Sequence, residues 1–164
     1  MRATRIALAV CLFTTAANAA DWTSYSNLRF GAAIDTPPGF VNDVPEPSNG
    51  DGLTFHSIDG KAELLVWGNN LVDEDFRADG QLRLKGETDD GWSISFQKGF
   101  GNEKHVFSGS KGERIMYLRS LASCKGTQAL HFRIEYPEAQ KRDYDPVVER
   151  IGISLKAGPA SDCP

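Results

Sequence analysis

Two segments of the chain alternate apolar and polar side chains without interruption. In residues 92–97 and again in residues 130–136, every even-numbered residue is apolar and every odd-numbered residue is polar. Successive side chains of a β-strand point to opposite faces of a sheet, so this period of two indicates strands with one face covered by a core. The chain is therefore expected to build an antiparallel sheet.

Shorter patterns predict the remaining strands of this sheet. Residues 53–57 and 61–67 flank Asp59 and Gly60, a dipeptide that favours the tight turn of a β-hairpin. The segment before this hairpin, residues 36–52, is rich in Pro, Asn, Asp and Gly and predicts a long surface loop. Three further segments are assigned as strands: residues 28–35, 104–108 and 113–122.

Two segments predict helices. Residues 71–85 have helix-forming composition, interrupted at Gly80, and three acids suit the first turn: Asp73, Glu74 and Asp75. Near the C-terminus Asp145 is the expected N-cap and Pro146 the first residue of a second helix. Its apolar stripe consists of Tyr144, Val147, Val148, Ile151 and Leu155. The predicted fold class is α+β, with an antiparallel sheet of about six or seven strands between two main helices, an α/β/α sandwich.

The N-terminal residues have the pattern of a cleavable secretory signal. Two arginines precede a short apolar run at residues 6–13, and Ala-Asn-Ala at 17–19 matches the pattern that a signal peptidase reads. A membrane anchor is the other interpretation, but the run is far shorter than the ~20 residues that cross a bilayer. We expect cleavage between Ala19 and Ala20 and an extracytoplasmic location, in the periplasm or secreted.

The remaining segment, residues 21–164, has the length of one globular domain. The chain carries 18 basic and 22 acidic residues, and loss of the two signal arginines changes its net charge from −4 to −6. Its basic residues are scattered along the sequence, whereas a nucleic-acid partner needs a clustered basic face. We therefore expect no nucleic-acid partner and no integral membrane segment after processing.

Cys124 and Cys163 remain after removal of the signal and permit one intramolecular disulfide in an oxidising compartment. Such a bond would tether the C-terminal tail, residues 157–164, to the domain. Two free thiols or an intermolecular bridge are the other possibilities. The spacing is not that of a Cys-x-x-Cys redox pair.

Local motifs for catalysis or for metal binding are absent from the sequence. His56, His105 and His131 have no metal-ligating partner at helical spacing. A run that resembles a calcium loop begins at Asp75, but it places Arg77 and Gly86 where oxygen ligands are needed. We also find neither a phosphate-binding Gly-rich loop nor a G-x-S-x-G nucleophile motif. The sequence thus predicts no cofactor and no metal site, and it favours a protein that is not an enzyme.

Several aromatic and polar residues are candidates for a binding surface. Four aromatic residues are placed at loops or strand ends, where they could anchor a partner or close the ends of the core: Trp22, Tyr25, Phe40 and Trp67. Three polar residues could converge with Trp67 on one sheet face: His131, Arg133 and Arg119. The same three would form the site of a small hydrolase assembled from distant strands.

The order of these segments resembles the superfamily that includes the photosystem II extrinsic protein PsbP and the Ran-binding protein Mog, together with many exported bacterial proteins. The resemblance rests on short motifs: residues 25–30, 36–40, 52–55, 92–96, 107–109 and 117–119, and the closing helix to Leu155. It implies an antiparallel sheet sandwiched by helices and a function in binding other proteins, with no catalytic motif. The cysteine pair and the loop before Gly52 depart from the pattern.

Three functions follow as hypotheses. The leading one is an exported, non-catalytic binding or accessory protein with a protein partner. The others are a small hydrolase and a carrier of a small apolar ligand.

Overall fold

The structure is a computed structural model that describes residues 21–71, 75–161 and 163. Within these residues the chain forms ten strands and two α-helices, in the order β1 (Thr23–Ser26), β2 (Ala32–Thr36), β3 (Phe40–Val41), β4 (Gly52–Ser57), β5 (Glu63–Asn70), α1 (Phe76–Asp89), β6 (Ser93–Lys98), β7 (Lys104–Lys111), β8 (Arg114–Ser123), β9 (Gln128–Pro137), α2 (Lys141–Ser154) and β10 (Lys156–Ala157). The predicted signal, with its cleavage residues Ala19 and Ala20, lies outside the described residues.

Seven strands form the main sheet, in the order β3-β4-β5-β9-β8-β7-β6, and every neighbouring pair is antiparallel. The strand with the clearest alternation, β9, lies in the middle of the sheet. Its apolar residues Leu130, Phe132 and Ile134 have no exposed surface. A small second sheet has the order β1-β2-β10.

The two helices cover opposite faces of the main sheet. Val148 and Ile151 of α2 join one core cluster with Phe132 of β9, and β2 of the small sheet packs on the same side. On the other face α1 lies over a smaller cluster that contains Phe107 and Met116. The predicted α+β sandwich is confirmed. None of the helices in the described part of the chain combines the length and apolar character that a membrane crossing requires.

The hairpin around Asp59 and Gly60 is confirmed: β4 and β5 pair up to His56 and Glu63, and Gly60 has a φ of 67°. Both helices differ in extent from expectation, and α1 spans Phe76–Asp89 instead of residues 71–85. Helix α2 begins at Lys141, after a 3₁₀ turn, so Asp145 is not its N-cap. The Asp145 carboxylate instead pairs with the Lys141 ammonium one turn earlier, at 2.7 Å.

Helix α1 runs through Gly80 without the predicted interruption. Asp75 caps it by accepting a hydrogen bond from the Ala78 amide at 2.7 Å, while Asp73 and Glu74 lie outside the described residues. A Cβ atom at position 80 would come within 2.6 Å of His105 Nδ1. The glycine therefore permits close packing of the helix on the sheet, and it does not end the helix.

Two strand predictions need correction. The predicted strand at residues 28–35 begins only at Ala32, because the Asn27 side chain binds the Phe30 amide and holds the preceding residues in a turn that leaves Leu28 82% exposed. In β6 the register shifts between Ile94 and Phe96, which is a β-bulge. The even-numbered residues of that strand therefore do not share one covered face, and Phe96 is 47% exposed.

Candidate functional site

The imidazole of His131 is fully buried between β9 and α1. Its Nδ1 lies 2.6 Å from the hydroxyl of Ser120, and its Nε2 lies 2.7 Å from Oδ1 of Asn69. A neutral imidazole carries one N–H, and the amide oxygen of Asn69 can only accept. Nε2 therefore donates to Asn69, and Nδ1 accepts the hydrogen bond of the serine.

An ion pair from α1 continues this network. The Arg83 guanidinium donates to both carboxylate oxygens of Asp79, at 2.8 and 2.9 Å, and to Oδ1 of Asn69 at 2.8 Å. The indole of Trp67 stacks on His131 with ring centroids 4.7 Å apart, and Arg83 lies over the same indole. We call these residues the buried network: Asn69, Asp79, Arg83, Ser120 and His131.

The buried network contains the residue types of a Ser-His-Asp triad without the geometry of one. The Asp79 carboxylate is 3.9 Å from His131 Nε2, too far for a hydrogen bond, and Ser120 and His131 have no exposed surface. A substrate has no access to this hydroxyl in the structure. His131 therefore does not belong to an exposed binding surface, contrary to the sequence expectation.

The environment of His131 keeps it neutral. Burial holds its pKa well below the usual 6.5, and the positive charge of Arg83 lowers it further. The direction agrees with the hydrogen bonds, because the neutral ring satisfies both of its partners. The network is a fully bonded polar layer that fixes α1 on the sheet.

A second buried histidine, His105, has a different environment. Its ring packs against Phe76 and Phe100, with centroids 4.9 and 5.2 Å away. Neither ring nitrogen has a hydrogen-bond partner among the described residues. Burial lowers the pKa of His105 to about 4, so it is neutral at physiological pH.

Arg133 is held by acids on the α1 face. Its guanidinium binds Glu87 of α1 at 2.7 Å and Glu135 at 3.0 Å, and it lies over the Trp92 indole. With Trp67 it lines a shallow cleft of about 410 Å³. Because two carboxylates neutralise this cation, its main effect is to attach α1 to the sheet.

Arg119 lies on the other face of the sheet. The β8–β9 register pairs it with Phe132, whereas His131 pairs with Ser120 and Arg133 with Leu118. Adjacent strand residues point to opposite faces, so Arg119 cannot converge with His131 and Arg133. The expectation that the three share one sheet face is wrong, and with it the hydrolase site built from them.

On the α2 face the edge strands extend beyond the helix and leave a groove. Ser108, Ile115 and Tyr117 form part of its floor, while Asp145 and Val148 of α2 form one wall, and its volume is about 360 Å³. A smaller pocket of about 210 Å³ lies next to it, lined by Lys98, Gly99, Lys104, His105, Val106 and Arg119. We call the two together the α2-side groove.

Tyr117 and Arg119 connect the two parts of the groove. Tyr117 lines the larger part and Arg119 lines the smaller pocket. Their polar ends meet beneath α2, since a Cβ atom at Gly152 would lie 3.8 Å from the Tyr117 hydroxyl and 3.7 Å from Arg119 Nη1. Lys98 and Lys104 were not identified from the sequence. The strand pattern around each residue was visible, but the pattern of a single strand does not show which strands lie at the sheet edge.

The aromatic candidates pack against the domain. Tyr25 contacts Phe55 edge to face at 5.4 Å, and Phe40 contacts Tyr144 at 6.5 Å. Trp22 is partly buried beneath the guanidinium of Arg150. These rings close the ends of the core, which is the second of the two interpretations that the sequence allowed. In the part of the chain that the structure describes, no three His, Cys, Asp or Glu residues are placed to hold a metal ion.

The fold is shared with solved structures, although no protein-family model and no curated protein matches the sequence. The structure is similar to cyanobacterial PsbP (CyanoP) from Synechocystis sp. PCC 6803, with a TM-score of 0.63 and 14% identity over 92% of this chain and 99% of that one. It is also similar to the Ran-binding protein Mog1p of Saccharomyces cerevisiae, with a TM-score of 0.62 and 10% identity over 88% of this chain and 99% of that one. The resemblance inferred from the sequence is thus confirmed as a likeness of fold.

Proposed function

We propose that this protein is an exported, non-catalytic binding or accessory domain, and that its protein partner docks in the α2-side groove. The observation that carries the proposal is the groove itself, where edge strands of the sheet extend past α2 and leave aromatic and basic side chains accessible. The similar structure of Mog1p is that of a Ran-binding protein, which supports a binding function for this fold.

Both ends of the groove offer what a protein interface uses. The half-buried ring of Tyr117 lines its larger part, and aromatic rings of this kind provide much of the binding energy where they are buried by a partner. Tyr136 also lines this part but is already buried, stacked on Tyr144. Val106 and Arg119 line the smaller pocket. In contrast, Ser120 and His131 are buried, so the residues closest to a catalytic arrangement are not available to a substrate.

Export is the second part of the proposal. It rests on the signal pattern of residues 1–20 and on the cysteine pair, because a disulfide persists in an oxidising compartment. The structure places Cys124 and Cys163 in disulfide geometry, with Cα atoms 5.5 Å apart.

A photo-crosslinking amino acid at position 108 tests the docking surface. The full chain with its own signal is expressed in its native host, with the crosslinker replacing Ser108 in one variant and Leu82 in another. Leu82 is the matched control because it is exposed on α1, on the opposite side of the sheet. We expect a discrete protein adduct from position 108 and none from position 82. Equal adducts from both positions, or none from position 108, would contradict the proposal.

A further inference from the structure

Three cations lie side by side at one end of the α2-side groove. The register pairs Val106 of β7 with Lys98 of β6 on one side and with Arg119 of β8 on the other. Lys104 lies two residues before Val106 on β7, so it shares the same face of the sheet. Three neighbouring strands thus each place one positive charge around a single small apolar residue.

Arg119 is half-buried, whereas Lys98 and Lys104 are exposed, and all three differ from the cations that line the cleft on the α1 face. Arg83 and Arg133 each bind a carboxylate at 2.7–2.8 Å. Lys98, Lys104 and Arg119 have no acid within 4.0 Å among the described residues, although the chain as a whole is acidic. Like charges held together without counter-charges repel one another, and an anion placed between them would relieve this repulsion.

The pocket between the cations has the size of a small acidic group. Its volume is about 210 Å³. Gly99 forms one wall in a turn with a φ of 81°, where a Cβ atom would come within 2.9 Å of the Lys104 carbonyl oxygen. An isolated bridge between Phe100 and Lys104 fixes this turn. His105 also belongs to the lining, but its ring packs against Phe76 of α1 on the opposite face of the sheet.

The chemistry of the lining points to carboxylate side chains. An Arg guanidinium binds a carboxylate through two parallel hydrogen bonds, and Lys ammonium groups add charge without strict geometry. Val106 provides an apolar contact for the methylene groups of a Glu or Asp. The pocket also opens beside Tyr117, whose ring lines the larger part of the groove, so a bound group can continue as an extended polypeptide.

We propose that Lys98, Lys104 and Arg119 bind the carboxylates of an acidic segment of the protein partner, which continues along the α2-side groove. This inference rests on the proposed docking function and adds the chemistry of the partner. Electrostatic complementarity of this kind gives specificity and speeds association, and it weakens as salt screens the charges.

A pair of matched peptides tests the inference on the purified, disulfide-bonded domain. One is a blocked, fluorescein-labelled peptide of alternating Glu and Ala, and the other has Gln in place of Glu. Fluorescence anisotropy is expected to show binding of the Glu peptide at least about tenfold tighter than that of the Gln peptide at low salt. The affinity should fall as salt is raised from 50 to 300 mM.

Charge-removing variants locate the site. Lys98→Gln, Lys104→Gln and Arg119→Gln are each expected to weaken binding of the Glu peptide by at least about threefold. Arg77→Gln is the control, because it removes the same charge from an exposed position on α1, across the sheet, and should leave the affinity unchanged. Unchanged thermal unfolding of each variant verifies that the fold is retained.

Three outcomes would overturn the inference: equal binding of both peptides, equal effects of Arg77→Gln and Arg119→Gln, or tight binding of inorganic phosphate that displaces the peptide completely. The third outcome would identify a site for a free anion. A crosslink from position 108 together with equal peptide affinities would refute the acidic chemistry and leave the docking proposal standing. Loss of that crosslink would refute the docking proposal on its own.

Discussion

At the scale of single residues, the face of the sheet beneath α1 contains two buried histidines with different surroundings. Gly80 allows the helix to approach His105, whose ring nitrogens have no partner among the described residues. His131, 26 residues later, has a partner at each ring nitrogen. Burial keeps both rings neutral, so the stability of this region depends on van der Waals fit and on pH.

Substituting the two glycines of α1 by alanine should have opposite effects. Alanine favours a helix over glycine by about 1 kcal/mol, and position 86 has open space, so Gly86→Ala should raise the free energy of unfolding by about 0.5–1 kcal/mol. Gly80→Ala forces a Cβ atom against His105 and should lower it by about 1–2 kcal/mol. Urea denaturation of both variants measures these changes in the free energy of unfolding, and stabilisation by Gly80→Ala would contradict the observed packing.

Acidification should destabilise the domain through its buried histidines. The pKa of His105 is lowered to about 4 in the folded state, whereas an unfolded histidine titrates near 6.5. The unfolded state therefore binds more protons between these values, and stability falls as pH falls, by about 1.4 kcal/mol per pH unit for each such histidine. The pKa of His131 is lowered as well and adds to the effect.

The variant His105→Phe measures how much the titration of His105 contributes to the pH dependence of stability. Phenylalanine keeps an aromatic ring beside Phe76 and Phe100 and removes the titration, so the fall in stability from pH 7 to pH 5 should become smaller. His56→Gln is the control, because a hydrogen bond to Asp43 raises the pKa of His56. That variant should retain the full loss of stability on acidification. An unchanged pH dependence in His105→Phe would disprove the assignment.

At the scale of elements, the C-terminal tail joins distant parts of the chain. Strand β10 pairs with β2, and the Gly158 amide donates to the Gly31 carbonyl oxygen at 2.7 Å. The Cys124–Cys163 pair, separated by 39 residues, lies just beyond this contact. The small sheet is therefore closed by the tail, and the disulfide limits how far the tail can move in the unfolded chain.

Removing this disulfide should cost stability and loosen the small sheet. For a loop of this length the chain-entropy model gives about 4 kcal/mol, so the double variant Cys124→Ser/Cys163→Ser should unfold at a clearly lower denaturant concentration. Hydrogen exchange at the Gly158 amide should accelerate more than exchange in β9. Intact mass after alkylation without reductant should show no added alkyl group on the native protein, and two added groups would refute the bridge.

At the scale of the whole molecule, the charges are distributed unevenly over the two faces of the main sheet. On the α1 face Arg83 pairs with Asp79 within the helix and binds Asn69 of β5, and Arg133 of β9 pairs with Glu87 of α1, so the contacts to Asn69 and Glu87 attach the helix to the sheet. On the α2 face three cations remain without such partners in the described structure. The cations that line the cleft on the α1 face are thus paired with acids, whereas those that line the smaller pocket on the α2 face are not.

Export predicts a defined start of the mature chain. If residues 1–20 act as a cleavable signal, the protein from its native compartment should begin at Ala20 or Asp21. N-terminal sequencing or intact mass determines this start. Ala19→Arg places a large charged side chain where signal peptidase requires a small one, so it should leave the signal attached. Normal processing of that variant would refute the assigned cleavage position.

The sequence by itself determined much of the architecture. The period of two in β9, the Asp59-Gly60 turn and the apolar stripe of α2 are local patterns, and each is sufficient to define one element. The run of short motifs was also sufficient to indicate the fold. Strand β6 shows the limits of such patterns. Its apolar and polar residues alternate regularly in the sequence, but a β-bulge places Phe96 on the face of the sheet opposite to that of Ile94.

Only the tertiary structure decided the character of the site. The polar residues His131 and Arg133 alternate with apolar ones as if they faced water, yet α1 packs over them and supplies Asp79, Arg83 and Glu87 as partners or neighbours. Whether a polar strand face is buried depends on an element distant in sequence, and a strand pattern carries no information about it. The groove that contains Lys98, Lys104 and Arg119 could not be predicted for the same reason. These residues become neighbours only when three strands pair, and they line a groove only because α2 does not cover this edge of the sheet.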